Sequence, residues 1–155
     1  MFLKSSNIKK YKEIYKKLLK EEHKLSNDYY DALDNNFNTE KIDKLKAEKQ
    51  NISERIDSLI ENDYAKAVYD IYNSKKPKLI LLKNDSEITW DDAFGCSFEE
   101  MSKPQKHALV GLIENTGMYR FKWVLNGSSL LNNAEEKLYT DRCWEIFVSD
   151  WSLVI

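Results

Sequence analysis

Residues 8–32, IKKYKEIYKKLLKEEHKLSNDYYDA, decide how this chain is built. Ile8, Tyr11, Tyr15, Leu18, Glu22, Leu25, Tyr29 and Ala32 recur at alternating steps of three and four, which keeps one seam of a helix turned toward a partner helix. Only Glu22 in that series is polar. Asn-Asn-Phe-Asn at 35–38 then breaks the pattern with side chains that compete for backbone hydrogen bonds, and Thr39 is the expected cap of a second helix. The seam of that helix runs Ile42, Leu45, Lys49, Ile52, Ile56 and Leu59 in the same spacing, then less regularly through Tyr64, Ala67, Val68, Ile71 and Tyr72. Neither segment contains Gly or Pro.

Two long helices joined by a short connection lie antiparallel, so residues 5–74 are expected to form a coiled-coil-like helical hairpin about 45 Å long. The irregular part of the second seam, near Tyr64, marks the end that packs on the rest of the chain. The Asn-rich end then projects.

From Pro77 onward the pattern changes. Pro77 ends the helix and should bias Lys76 toward an extended conformation. Leu79–Lys83 reads as a buried strand, Asn84-Asp-Ser as a turn, and Ile88-Thr-Trp as a short strand. Ser97-x-x-Glu100 and Ser102-x-x-Gln105 both fit a capping box, and Pro104 favours the second as a helix start. That helix is expected over Lys103 to about Asn115, with Ala108, Leu109, Leu112 and Ile113 inward and Gly117 as the stop. Tyr119, Phe121, Trp123 and Leu125 then alternate with Arg120, Lys122 and Val124, and residues 143–148 and 151–155 are rich in strand formers. Asn126-Gly127 signals a tight turn, leading either to a return strand or to a longer excursion through residues 128–140. The expected fold class is therefore α+β: an antiparallel helical hairpin over 1–76 and, over 77–155, a small antiparallel sheet with one main helix.

At 155 residues with 42% hydrophobic side chains the chain can bury a core without staples, and 32% charge with four Gly and two Pro is far from a disordered composition. The net charge of −2 marks neither a dedicated basic nucleic-acid binder nor an acidic nucleic-acid mimic. It hides an asymmetry, because residues 1–79 carry 17 basic to 14 acidic side chains and residues 80–155 carry 7 to 12. Two cysteines, no CxxC, and no basic stretch leading into an apolar one at the N-terminus point to a cytoplasmic, reducing setting. No apolar run approaches the ~20 residues that span a bilayer, so no membrane contact is expected.

Signals for catalysis are weak. His23 and His107 are the only histidines, and His23 sits on a charged helix surface beside Glu22. Cys96 and His107, with Asp91 or Asp92 orienting the imidazole, would make a nucleophile and base if the fold joined them, but Cys96 reads more simply as a small core residue. Asp91, Asp92, Glu99 and Glu100 could together hold a hard cation, yet a turn and a helix start explain them better. No zinc spacing and no phosphate-cradling glycine loop is present, so no metal, no cofactor and no enzyme activity are expected.

Surfaces are more informative. Residues 4–24 hold eight Lys against three Glu, and Lys9, Lys12, Lys16 and Lys20 lie along one helical face. The bland reading, and the favoured one, is a solvated exterior with Tyr11 and Tyr15 filling the seam; the functional one is a face that tracks a phosphate backbone. Lys75, Lys76 and Lys78 form a smaller basic cluster. Trp144, Phe147 and Trp151 put apolar area near the chain end, most simply as core, while an exposed Trp151 would be a binding anchor.

The leading expectation is a non-enzymatic interaction protein. By analogy it is an inhibitor from a phage or mobile element that blocks a larger host enzyme or nucleoprotein, such as a bacterial defence or CRISPR effector. Its contact residues are then Lys9, Lys12, Lys16 and Lys20, the acidic Asp91, Asp92, Glu99 and Glu100, and Trp151. The alternatives are a nucleic-acid-binding module using the Lys-rich helix, and an immunity protein whose acidic half contacts a basic toxin. A homodimer is open too, since a heptad seam closes within one chain or between two, with Glu22 and Lys49 setting register.

Overall fold

Residues free of Gly and Pro give two long helices, α1 (Phe2–Asp34) and α2 (Thr39–Ser58), in the structure, a computed structural model that describes residues 2–35, 38–82, 85–115, 118–121 and 144–149. They run antiparallel: Lys49 of α2 lies over the rings of Tyr29 and Tyr30 late in α1, whereas Tyr11 and Tyr15, early in α1, meet Tyr64. Every residue of the α1 seam is buried or half-buried, as is every residue of the α2 seam. Lys49, polar at a seam position, is thus used within the chain, its ammonium 5.7 and 5.3 Å from the two ring centres.

The irregular step in the second seam has a structural cause. Five residues separate Leu59 from Tyr64, and a π-helix (Leu59–Tyr64) takes up the extra one, the Ala65 N–H donating to the carbonyl of Ile60 five residues back. The wider turn keeps Leu59, Ile60 and Tyr64 all buried and hands the seam on to α3 (Ala65–Lys75), where Ala67, Val68, Ile71 and Tyr72 continue it. The α2 cap is Asn38 rather than Thr39, its side chain accepting from the Lys41 N–H at 2.8 Å.

Lys76 corrects another expectation. It is not extended before Pro77 but left-handed (φ 45), and its N–H donates to the Tyr72 carbonyl at 2.7 Å, closing α3. The helix end outweighs the bias from the proline. After it come β1 (Leu79–Leu81) and β2 (Ser86–Ile88), paired antiparallel with Leu79 opposite Ile88. Asp85, also left-handed at φ 55, precedes β2, and short polar side chains tolerate that conformation.

Trp90 is not in a strand. Thr89 caps α4 (Trp90–Phe94) through a reciprocal pair with Asp92, each side chain accepting the other's backbone N–H at 3.0 and 3.1 Å. The buried Trp90 ring then packs on Phe94 at 4.7 Å and edge-on to Tyr72 at 5.6 Å. Ser97 precedes a single 3-10 turn (Phe98–Glu100) without a side-chain cap bond, whereas Ser102 and Gln105 form the full capping box of α5 (Lys103–Glu114), with Pro104 in its first turn. Ala108 through Ile113 are buried without interruption, the mark of a helix covered on all sides. It contacts the π-helix and α3, and also β3 (Met118–Phe121) and β4 (Trp144–Val148).

Among the described residues the strands form one antiparallel sheet in the order β2-β1-β4-β3. The protein is thus broadly α+β, an N-terminal helix pair with a small antiparallel sheet. A single apolar cluster runs from Ile8 and Leu18 through Tyr64 and Tyr72 to Leu79, Leu109, Ile146 and Val148. The expected strand at 123–125, the turn at Asn126-Gly127, the stop at Gly117 and the segment 151–155 lie outside the described residues.

Left-handed backbone is disfavoured for a residue with a Cβ, so Lys76→Gly should raise stability by up to about 1 kcal/mol. Urea melts check this, and a less stable variant would contradict the role assigned to the left-handed closure.

Candidate functional site

The side of α1 away from the seam carries the lysines. Lys9, Lys16 and Lys20 are exposed and Lys12 is half-buried. None of the four lies within ion-pair distance of a carboxylate among the described residues, although Lys66–Asp70, Lys76–Asp91 and Lys78–Glu87 do pair elsewhere, at 3.1, 3.9 and 3.8 Å. Tyr11 and Tyr15 are half-buried against the Tyr64 ring at 6.4 and 6.1 Å, so both fill the seam.

The four acidic candidates are exposed but not assembled into one group. Asp91 faces Lys76. Asp92 serves the α4 cap, and the hydroxyl and backbone N–H of Thr89 hold its carboxyl below its ordinary value. Glu99 and Glu100 form the 3-10 turn before α5. Among the described residues no three His, Cys, Asp or Glu side chains come close enough together to hold a metal ion. Trp151 and Trp123 lie outside the described residues.

Cys96 and His107 have separate partners. His107 Nε2 is 3.3 Å from Glu61 Oε1 of the π-helix, and the carbonyl of Cys96 accepts the Tyr69 hydroxyl at 3.2 Å. Burial, and then the Glu100 carboxylate, push the Cys96 thiol up, away from the reactive thiolate. His23 is exposed on α1.

One polar arrangement escapes a reading of the sequence. The π-helix aims Glu61 at His107 and Tyr64 at Glu114, whose carboxylate accepts the Tyr64 hydroxyl at 2.5 Å. The five-residue step from Leu59 to Tyr64 was the only sign of it. Burial, then the Glu114 hydrogen bond and charge, drive the Tyr64 phenol well above its ordinary value. Burial alone does the same for Tyr72, whose buried hydroxyl has no hydrogen-bond partner among the described residues. The Glu61–His107 and Tyr64–Glu114 pairs join the π-helix to α5. A shallow groove on α2, lined by Asn38, Glu40, Lys41, Lys44, Leu45 and Glu48, belongs to one helix surface and mixes charge. Phe98 is flanked by the ammonium groups of Lys66 and Lys106, 5.3 and 4.6 Å from its ring centre.

No family model, curated protein or solved structure matches this chain. No helix among the described residues is long and apolar enough to cross a membrane.

Both buried phenols stay protonated in the fold at a pH where the unfolded chain, with an ordinary value of 10.0, would release the proton. Their contribution is therefore full below pH 10 and is lost as the pH rises beyond it, by about 1.4 kcal/mol per pH unit for Tyr72. Melts between about pH 8 and 11 should show this loss, and Tyr72→Phe should flatten it while leaving neutral-pH stability unchanged or higher by ~1 kcal/mol. A variant with the same alkaline slope as the parent would contradict the assignment.

Proposed function

We propose that this chain is a non-enzymatic interaction protein that docks the outward lysine face of α1 on a larger protein or nucleoprotein and blocks it. In this reading the helix pair is a coiled-coil-like hairpin that carries the face and projects its Asn-rich end, and the chain acts in a reducing, cytoplasmic setting. The observation that carries the proposal is the contrast between the two sets of charge. Asp92 is used in a cap, Asp91 faces Lys76, and Glu99 and Glu100 form the 3-10 turn before α5, whereas Lys9, Lys12, Lys16 and Lys20 make no ion pair among the described residues and serve no cap or turn. The Glu61 partner of His107 and the upward shift of the Cys96 thiol also weigh against a nucleophile and base at that pair.

A four-fold reversal, Lys9, Lys12, Lys16 and Lys20 each to Glu, should leave circular dichroism unchanged, because the face is outside the core. The tagged variant should retain at least ~10-fold less of a stoichiometric large partner than the parent, since paired surface charges steer and specify association. Equal retention by parent and variant would exclude this face.

A further inference from the structure

From the arrangement of the lysines on α1 we infer that the anionic component they take is the phosphodiester backbone of a nucleic acid, held without reading its bases. This rests on the reading of the outward α1 face as the docking surface. Lys12, Lys16, Lys20 and Lys24 repeat at steps of four, with Lys9 one turn before them, so like charges stack along one row of the helix. Such a row destabilises a helix, and solvation alone does not call for it. The alternative is present in the same molecule: Glu40, Lys44 and Glu48 of α2, and Lys9, Glu13, Lys17 and Glu21 beside the row on α1, alternate in sign at the same spacing, and Gln50 donates to Glu54 at 3.2 Å.

The row is continuous, because α1 is an unbroken helix of 33 residues, and steps of four carry it obliquely round the outward side, with Lys24 about 120° from Lys12. From Lys12 to Lys24 it covers about 18 Å at 1.5 Å per residue. Its complement is an extended, closely spaced run of negative charge, and duplex DNA carries one charge per ~1.7 Å of axis. A phosphodiester backbone presents that run along its whole length, whereas a protein surface does so only where acidic residues are concentrated. An anionic membrane fits less well, since surface helices insert an apolar face and the apolar face of α1 is occupied by α2, the π-helix and α3. Stacking is also unavailable, as Tyr11 and Tyr15 are turned against Tyr64. Contact is therefore confined to phosphates and is indifferent to sequence.

The test is fluorescence anisotropy with two labelled duplexes of about 30 base pairs and unrelated sequence, titrated at several salt concentrations, with poly-glutamate and phosphatidylserine vesicles as competitors. Four to five phosphate contacts predict equal affinity for both duplexes, a log–log salt slope near −4, and a loss of roughly 100- to 500-fold between 50 and 200 mM salt. Lys12→Gln, Lys16→Gln and Lys20→Gln together should make that slope shallower by roughly 2.7, while Lys75→Gln with Lys78→Gln should leave it unchanged. No duplex binding at 50 mM salt, an unchanged slope in the triple variant, or tighter binding to poly-glutamate or vesicles would overturn the assignment. If duplex binding is absent while the four-fold Glu reversal still abolishes capture of a protein partner, only the nucleic-acid assignment falls. If that reversal also leaves capture intact, the α1 face itself is not the docking surface.

Discussion

Tyr64 is the contact on which the arrangement of this protein depends. Its ring, wholly buried, takes Tyr11 and Tyr15 from α1, and its hydroxyl reaches across to the Glu114 carboxylate at the end of α5. Both contacts require Tyr64 to sit five residues after Leu59 and still face the core, which only the wider turn of the π-helix allows. The same turn places Glu61 against His107. A short irregularity in one helix thereby ties the helix pair to α5, and α5 in turn to β3 and β4.

With its apolar stripe committed to α2, the π-helix and α3, α1 has one fixed outward side. That side carries the chain's densest basic charge, and the core decides that it faces solvent. Three acidic residues of the second half are placed differently. Thr89 and Asp92 complete a helix start, and the ion pairs of Lys76 and Lys78 take up Asp91 and Glu87. Asp91, Asp92 and Glu87 thus have a structural use, which no ion pair among the described residues gives to the lysines of the proposed docking surface.

Much of this was legible in the sequence because helix period and capping chemistry are local. The two seams, the α5 start at Ser102 and the inward set Ala108, Leu109, Leu112 and Ile113 need only spacing and short-range hydrogen bonds. Trp90 misled for a physical reason: Ile88-Thr-Trp is rich in strand formers, and that preference hid the Thr89–Asp92 cap that starts a helix instead. Lys76 misled because the demand of a helix end for a left-handed closure outweighed the influence of the next residue. Tyr64 with Glu114 and Glu61 with His107 are separated by 50 and 46 residues, and nothing local fixes such pairs. The lysine face was visible as a pattern, but its lack of internal carboxylate partners among the described residues is a tertiary fact.

Docking through the α1 face is most directly measured by lysine footprinting with an amine-acylating reagent, on the purified chain and on the chain captured with its partner from its native cells. Lys9, Lys16 and Lys20 should react in the purified chain and be protected in the complex, while Lys75 and Lys78 react in both. Undiminished labelling of the α1 row in the complex, with protection elsewhere, would contradict docking through that face.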